Sequence, residues 1–124
     1  MIVVNHDEVR PAITETGTRL SVLLDTTHEG QGRMSLAIET LSPGQSNAPH
    51  WHSDLEEIYF ILEGEGLMQV GGESRRVRAG DAILIPRDEV HSLRNTGEGE
   101  LSLICPVSPP WYPEDYHLAE GADG

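Results

Sequence analysis

Short runs rich in Val, Ile and Leu alternate with clusters of Gly, Pro, Asn and Asp at intervals of about 8–12 residues, and no stretch carries the spacing of a long amphipathic helix. A chain written this way buries its apolar side chains on the faces of sheets, so an all-β sandwich or barrel is predicted. The expected strands are 18–25, 33–41, 58–62, 67–70, 75–78, 82–85, 91–94 and 101–105. In the first of these Leu20, Val22 and Leu24 share a face, and in the second Met34, Leu36 and Ile38 do. Ser42-Pro43-Gly44 is a turn, and Gly71-Gly72 suits a tight hairpin because glycine accepts a positive φ. A C-terminal tail is expected over 106–124, and Prolines 109, 110 and 113 keep its segment 109–116 out of a central strand. Within that tail Glu114–Ala119 is expected to form one helical turn, and the acidic end to fray.

A length of 124 residues with 37% apolar content suits one domain over 1–124 with a single core. No run approaches the roughly 20 apolar residues of a membrane span. The first ten residues carry Asp7 and Glu8 where a secretory signal would be basic, so a cytoplasmic protein is expected. The net charge of −13 opposes binding to nucleic acid or to an anionic membrane. All eight basic residues are arginines, which excludes Schiff-base chemistry, a phosphate-loop lysine and a lysine base. Five of them, Arg75, Arg76, Arg78, Arg87 and Arg94, fall within twenty residues. A solvated hairpin face is expected there, the alternative being that one arginine pairs with a substrate carboxylate or phosphate. The lone Cys105 forms no internal disulfide and no cysteine zinc site, and reads as a buried strand residue.

His50 and His52 are two apart, so on a strand both imidazoles point to one face. Two acids, Glu56 and Glu57, follow within five residues, and His91 opens a later strand. Three imidazoles and one carboxylate make a mixed N/O donor set suited to a first-row divalent ion. Gly44 is followed after five residues by His50, after one by His52, after four by Glu57 and after six by Gly64. Gly80 is followed after five residues by Pro86, after one by Asp88, after two by His91 and after three by Asn95. The two blocks, 44–64 and 80–95, resemble in order and spacing the two motifs of the cupin superfamily. Nine of the ten defining positions are met, and chance agreement is on the order of one in a billion. The departure is Asp88, where the family has glycine; Asp is one of the few residues that tolerates a left-handed turn.

The resemblance implies a cupin-type antiparallel β-barrel (a double-stranded β-helix or jelly roll) with a metal near its mouth. It carries His50, His52, Glu57 and His91 over as ligands of one divalent first-row transition ion: Fe, Mn, Ni, Zn or Cu. The glycines and Pro86 carry over as turn-makers, and Asn95 reads as a structural hydrogen-bonder. The carboxylate is in conflict with simple alternation. An unbroken strand from His52 puts Glu56 on the histidine face and Glu57 on the opposite one. The family register selects Glu57 and requires Ser53-Asp54 to form a bulge or turn that resets the alternation. The same register turns Tyr59, the candidate catalytic residue, and Ile61 into the barrel, and leaves Ile58, Phe60 and Leu62 as an outer stripe. His6, His28 and His117 are expected at the surface, with a pocket role for His117 as the alternative. Trp51 alternates away from the metal, and Trp111 and Tyr112 are either anchors for the tail or a lid.

Four protein ligands leave coordination positions open, which points to catalysis on a small organic molecule. Oxidative, dioxygenase-type chemistry is the leading expectation. Isomerase, epimerase or lyase chemistry of the sugar-phosphate-isomerase-like kind is the second, and a non-catalytic ligand-binding barrel the third. Burying the outer stripe predicts a homodimer.

Overall fold

The computed structural model describes residues 1–27 and 32–119; His28 and the acidic end of the tail lie outside them. The fold is all-β, as the pattern of short runs predicts, with two antiparallel sheets packed face to face. The strands are β1 (Ala12–Ile13), β2 (Arg19–Leu24), β3 (Ser35–Leu41), β4 (His50–Trp51), β5 (Glu56–Glu63), β6 (Glu65–Val70), β7 (Glu73–Arg78), β8 (Ala82–Ile85), β9 (His91–Asn95), β10 (Leu101–Ser108) and β11 (His117–Leu118). One sheet runs β1-β2-β3-β10-β5-β8 and the other β11-β4-β9-β6-β7. No helix among the described residues is long and apolar enough to cross a membrane.

Turn chemistry sets the connections. Gly71 takes φ 57° between β6 and β7, where Val70 pairs with Glu73 across a two-residue turn. Gly64 has φ 89°, and a Cβ there would collide with the Glu100 carbonyl, so only glycine fits between β5 and β6. Asp88 is the one non-glycine with positive φ among the described residues, at 70°. The family's glycine position therefore keeps its left-handed backbone with an aspartate in it, and its N–H donates to the His52 carbonyl at 2.7 Å.

Inward-facing side chains change character along each strand. On β10 they run from Leu101 and Leu103 to Cys105 and Val107, on β5 from Ile61 through Tyr59 to Glu57, and on β9 from Asn95 and Leu93 to His91. The core occupies one end of the sandwich, where Leu41, Ile61, Met68, Leu93, Leu101 and Leu103 are buried against one another. At the other end the same faces turn polar and enclose a cavity of about 350 Å³.

The predicted shared face of Met34, Leu36 and Ile38 lies on the side of β3 away from the cavity, with Met34 just before the strand, while Ser35, Ala37 and Glu39 point to the cavity. Leu20 and Val22 line the cavity too, while the register of β2 shifts between Val22 and Leu24, so the three do not form one continuous core face. The tail, expected from residue 106, starts after Ser108, because β10 continues there paired with β3 and β5; it makes a three-residue 3-10 turn at Pro113–Asp115 instead of a helical turn over Glu114–Ala119, and then adds β11 to the free edge of β4. Pairing with that edge supplies the backbone hydrogen bonds that one helical turn would leave unmade. The expected solvated face is present: Arg75, Arg76, Arg78, Arg87 and Arg94 are all exposed.

Candidate metal centre

His50, His52, Glu57 and His91 are buried and converge, with one donor atom of each lying within 4.8 Å of all the others. His50 pairs with His91 across β4 and β9, and Glu57 pairs with Ile85 across β5 and β8, so both sheets contribute. Each imidazole is oriented from behind. His50 Nδ1 lies 2.6 Å from the Ala48 carbonyl, His52 Nδ1 2.6 Å from the Asp115 carbonyl and His91 Nδ1 3.2 Å from the Glu89 carbonyl. A carbonyl only accepts, so the proton of each neutral ring sits on Nδ1, and the Nε2 lone pairs are left for the centre.

Glu57 lies between two of these nitrogens, 3.2 Å from His52 Nε2 and 3.1 Å from His91 Nε2. None of these contacts is aligned as a hydrogen bond. His52 Nε2, His91 Nε2 and Glu57 Oε2 are therefore buried without a partner. Three orphaned polar atoms in one spot is a costly arrangement for a protein alone. A divalent cation relieves it, since it accepts lone pairs from all four groups at once. The donor set thus fits a first-row ion on its chemistry and on its unmet polar atoms.

The protonation states of His50 and Glu57 agree with that fit, whereas Glu57 draws a proton to His52 with which a cation would compete. Burial, with His91 alongside, lowers the His50 pKa to about 4, so its ring is neutral near pH 7. Burial works to raise the Glu57 pKa, but the two histidines beside it prevail and bring it down to about 2. Burial likewise opposes the charged form of His52, yet Glu57 and Asp115 together push its pKa up.

The conflict between Glu56 and Glu57 is resolved by a bend at Ser53-Asp54. Glu57 faces the histidines, whereas Glu56 is exposed with an oxygen 3.8 Å from Arg87 Nε. Asp115 holds the bend. Its carboxylate accepts from Ser53 N (2.8 Å), Ser53 Oγ (2.7 Å), Asp54 N (2.8 Å) and Leu55 N (2.8 Å), while its carbonyl faces His52. Burial disfavours the charge, but the Ser53 hydroxyl and the three N–H donors hold the carboxyl well below the usual range. Sequence reasoning missed this residue, because a contact spanning about sixty residues leaves no local pattern.

Tyr59 is fully enclosed, and burial together with the Glu57 charge raises its pKa well above the ordinary value, so its hydroxyl stays protonated. Cys105 is buried as expected, and burial raises its thiol as well. Asn95 is a structural hydrogen-bonder: its Nδ2 donates to the Leu41 and Gly99 carbonyls at 2.9 and 2.8 Å. His6 is exposed. His117 is half-buried, with its ring stacked on Trp51 at 4.3 Å and its Nε2 3.2 Å from Asp115. Tyr112 anchors the tail through its hydroxyl, which donates to Asp54 at 2.8 Å, whereas Trp111 lines the cavity. Tyr116, which sequence reasoning did not single out, also lines it; its ring lies 4.9 Å from His50 and its hydroxyl donates to Glu15.

Comparison with known proteins agrees with this geometry. The family model described as a cupin domain matches residues 37–107. An uncharacterized protein of Methanocaldococcus jannaschii, MJ1618, is 35% identical over 120 residues, covering 97% of this chain and 96% of its own length. The crystal structure of a predicted oxalate decarboxylase from Thermotoga maritima superposes with a TM-score of 0.80 at 28% identity, covering 87% of this chain and 99% of that one. The polyketide cyclase RemF of Streptomyces resistomycificus superposes with a TM-score of 0.80 at 27% identity, covering 96% and 85%.

Proposed function

The chain belongs to the cupin family, and from that premise we propose that it is a metal-dependent enzyme acting on a small organic molecule. His50, His52, Glu57 and His91 hold one divalent first-row ion in this reading. One observation carries it: three imidazoles and an ionised carboxylate converge, with His52 Nε2, His91 Nε2 and Glu57 Oε2 short of partners, and two of the four residues, His50 and Glu57, also line the adjoining cavity. A purely structural site has no use for such access. When bound, the ion supplies either electron transfer to dioxygen beside the substrate or polarisation of a substrate carbonyl.

The rest of the work falls to the chain. The backbone carbonyls behind the histidines keep the donor nitrogens aimed inward. Tyr116 and Trp111 close one side of the cavity, and the protonated Tyr59 hydroxyl donates and does not abstract. Oxidation is the leading reading: His50, His52, Glu57 and His91 would hold the ion beside the cavity, where a redox-active ion would supply electron transfer to dioxygen. Proton-shifting isomerase or lyase chemistry is the second, and one feature favours it: Glu39 is a buried carboxylate in the cavity wall, suited to take up a proton. The relatives point both ways, one named a predicted oxalate decarboxylase and another a polyketide cyclase.

Elemental analysis of protein purified without tag or chelator tests the centre. About one equivalent of a first-row metal is expected in the wild type and in Glu56→Gln, and far less in His50→Ala/His91→Ala and in Glu57→Gln. Metal retained in Glu57→Gln would overturn the ligand assignment. Oxygen uptake over a substrate panel then separates oxidation from isomerisation. Ligand-induced thermal stabilisation without turnover would leave a binding protein.

A further inference from the structure

The cavity that adjoins the four-residue cluster has a one-sided chemistry. Its apolar wall is built from Leu20, Val22, Ala37, Ala48 and Val107, and Trp111 adds an aromatic face. Its charged groups are Glu15, Asp25, Glu39 and Glu57, all acids, and no arginine lines it among the described residues. Recognition of a carboxylate or phosphate calls for paired cationic donors, and here an anion would meet carboxylates in a molecule that already carries a net −13.

Glu39 stands out in this wall. Its side chain is buried, yet it accepts only one short hydrogen bond, from Thr18 Oγ1 at 2.7 Å, and one long one, from Asn47 Nδ2 at 3.4 Å. A carboxyl group has room for about four such contacts, so Glu39 can accept a further donor from the cavity side. Glu39 lies on β3, opposite Leu20 of β2 and Leu103 of β10, so the strands on either side place apolar neighbours beside it. An apolar wall with a few polar groups of fixed orientation is the usual construction of a small-molecule site.

We propose that this cavity takes an uncharged, ring-bearing organic molecule that presents a hydroxyl or similar donor to Glu39, and that it rejects small dianions. The Trp111 and Tyr116 rings, 6.4 Å apart, form the side against which the ring of the ligand packs. The inference rests on the proposed function in taking this cavity for the substrate site, but its binding test does not require the metal.

Isothermal titration of the full chain, zinc-loaded and metal-free, with 2-naphthol, 2-methoxynaphthalene, 2-naphthoate and oxalate decides it. 2-Naphthol is expected to bind both forms. Loss of the donor in 2-methoxynaphthalene, or Glu39→Gln, weakens binding by about tenfold, the effect of one buried hydrogen bond. Ala37→Leu, which narrows the cavity, weakens all three aromatic probes together. In the metal-free protein 2-naphthoate binds more weakly than 2-naphthol, and oxalate does not bind. The proposal is overturned if 2-naphthol fails to bind either form, if 2-methoxynaphthalene matches it, or if 2-naphthoate or oxalate binds the metal-free protein more tightly. One equivalent of zinc bound without 2-naphthol binding would remove the ligand class and leave the metal centre. Binding of 2-naphthol by a protein that takes up no metal would do the reverse.

Discussion

Replacing Asp115 with alanine tests whether the C-terminal tail sets the position of Glu57. The carboxylate holds the 53–55 bend through four hydrogen bonds, three of them to backbone N–H groups. Ser53 and Asp54 are exposed, so water replaces the carboxylate on their donors at a cost of about 0.5–1 kcal/mol each. Leu55 is 1% exposed, and its N–H is left without a partner, which costs about 1–3 kcal/mol. The total is about 4 kcal/mol, a large share of the roughly 5–15 kcal/mol typical of a domain. Urea unfolding followed by circular dichroism should show a lower midpoint with an unchanged slope. Because the Asp115 carboxyl is held below its ordinary value near 3.8, its contribution is fully present above that pH and is lost as pH falls below it. The alanine variant should therefore lose less stability than the wild type on acidification below pH 3.8. Zinc affinity should fall too, since the bend places Glu57 and the Asp115 segment supports His52. A stability loss under about 1 kcal/mol with unchanged zinc affinity would refute the reasoning, because it would mean that the bend forms without its carboxylate.

Three further outcomes follow from individual residues. Burial, only partly offset by Thr18 and Asn47 and reinforced by the charges of Glu57 and Glu15, holds the Glu39 carboxyl above its ordinary value near 4.5. Its contribution is complete below that pH and is lost as pH rises through the raised value, so Glu39→Gln should flatten the decline in stability above pH 4.5 measured by urea unfolding. At Asp88, with φ 70°, a valine should cost about 1–3 kcal/mol and a glycine under about 1 kcal/mol; equal thermal midpoints for the two would argue against strain there. The outer stripe of Ile58, Phe60 and Leu62 is joined by Leu84, which pairs with Ile58 and is 71% exposed. We propose that a second copy covers this face, so light scattering at micromolar concentration should give twice 13.6 kDa, with Phe60→Glu giving the monomer.

The parts of this fold legible in the sequence are those set by local rules. Gly44 and Gly71 take positive φ at the turns that their neighbours predict, Gly64 and Gly80 do so at the turns that the family resemblance implies, and Asp88 keeps the left-handed turn that its side chain tolerates. His50 and His52 share a face by strand alternation, whereas His91, about forty residues on, is joined to them in the sequence by the family resemblance and in the structure by the pairing of β4 with β9. Legibility fails where the interior stops being apolar. The inward face of β3 reads Ser35, Ala37, Glu39, and it looks like a surface because it lines a cavity, while its outer face carries Met34, Leu36 and Ile38. Hydrophobic periodicity marks the side that avoids water, and a strand whose inner face serves a ligand inverts that mark. The family register selects Glu57 over Glu56, and Glu57 is the acid that faces the histidines; alternation alone could not find it, because the bend that decides it is held from Asp115, far along the chain, at a site with no motif of its own. Glu39 and Asp115 are both buried carboxylates, but Asp115 is held by four hydrogen bonds that stabilise the scaffold, whereas Glu39 has only Thr18 and Asn47 beside it, so its burial serves the cavity and not the fold.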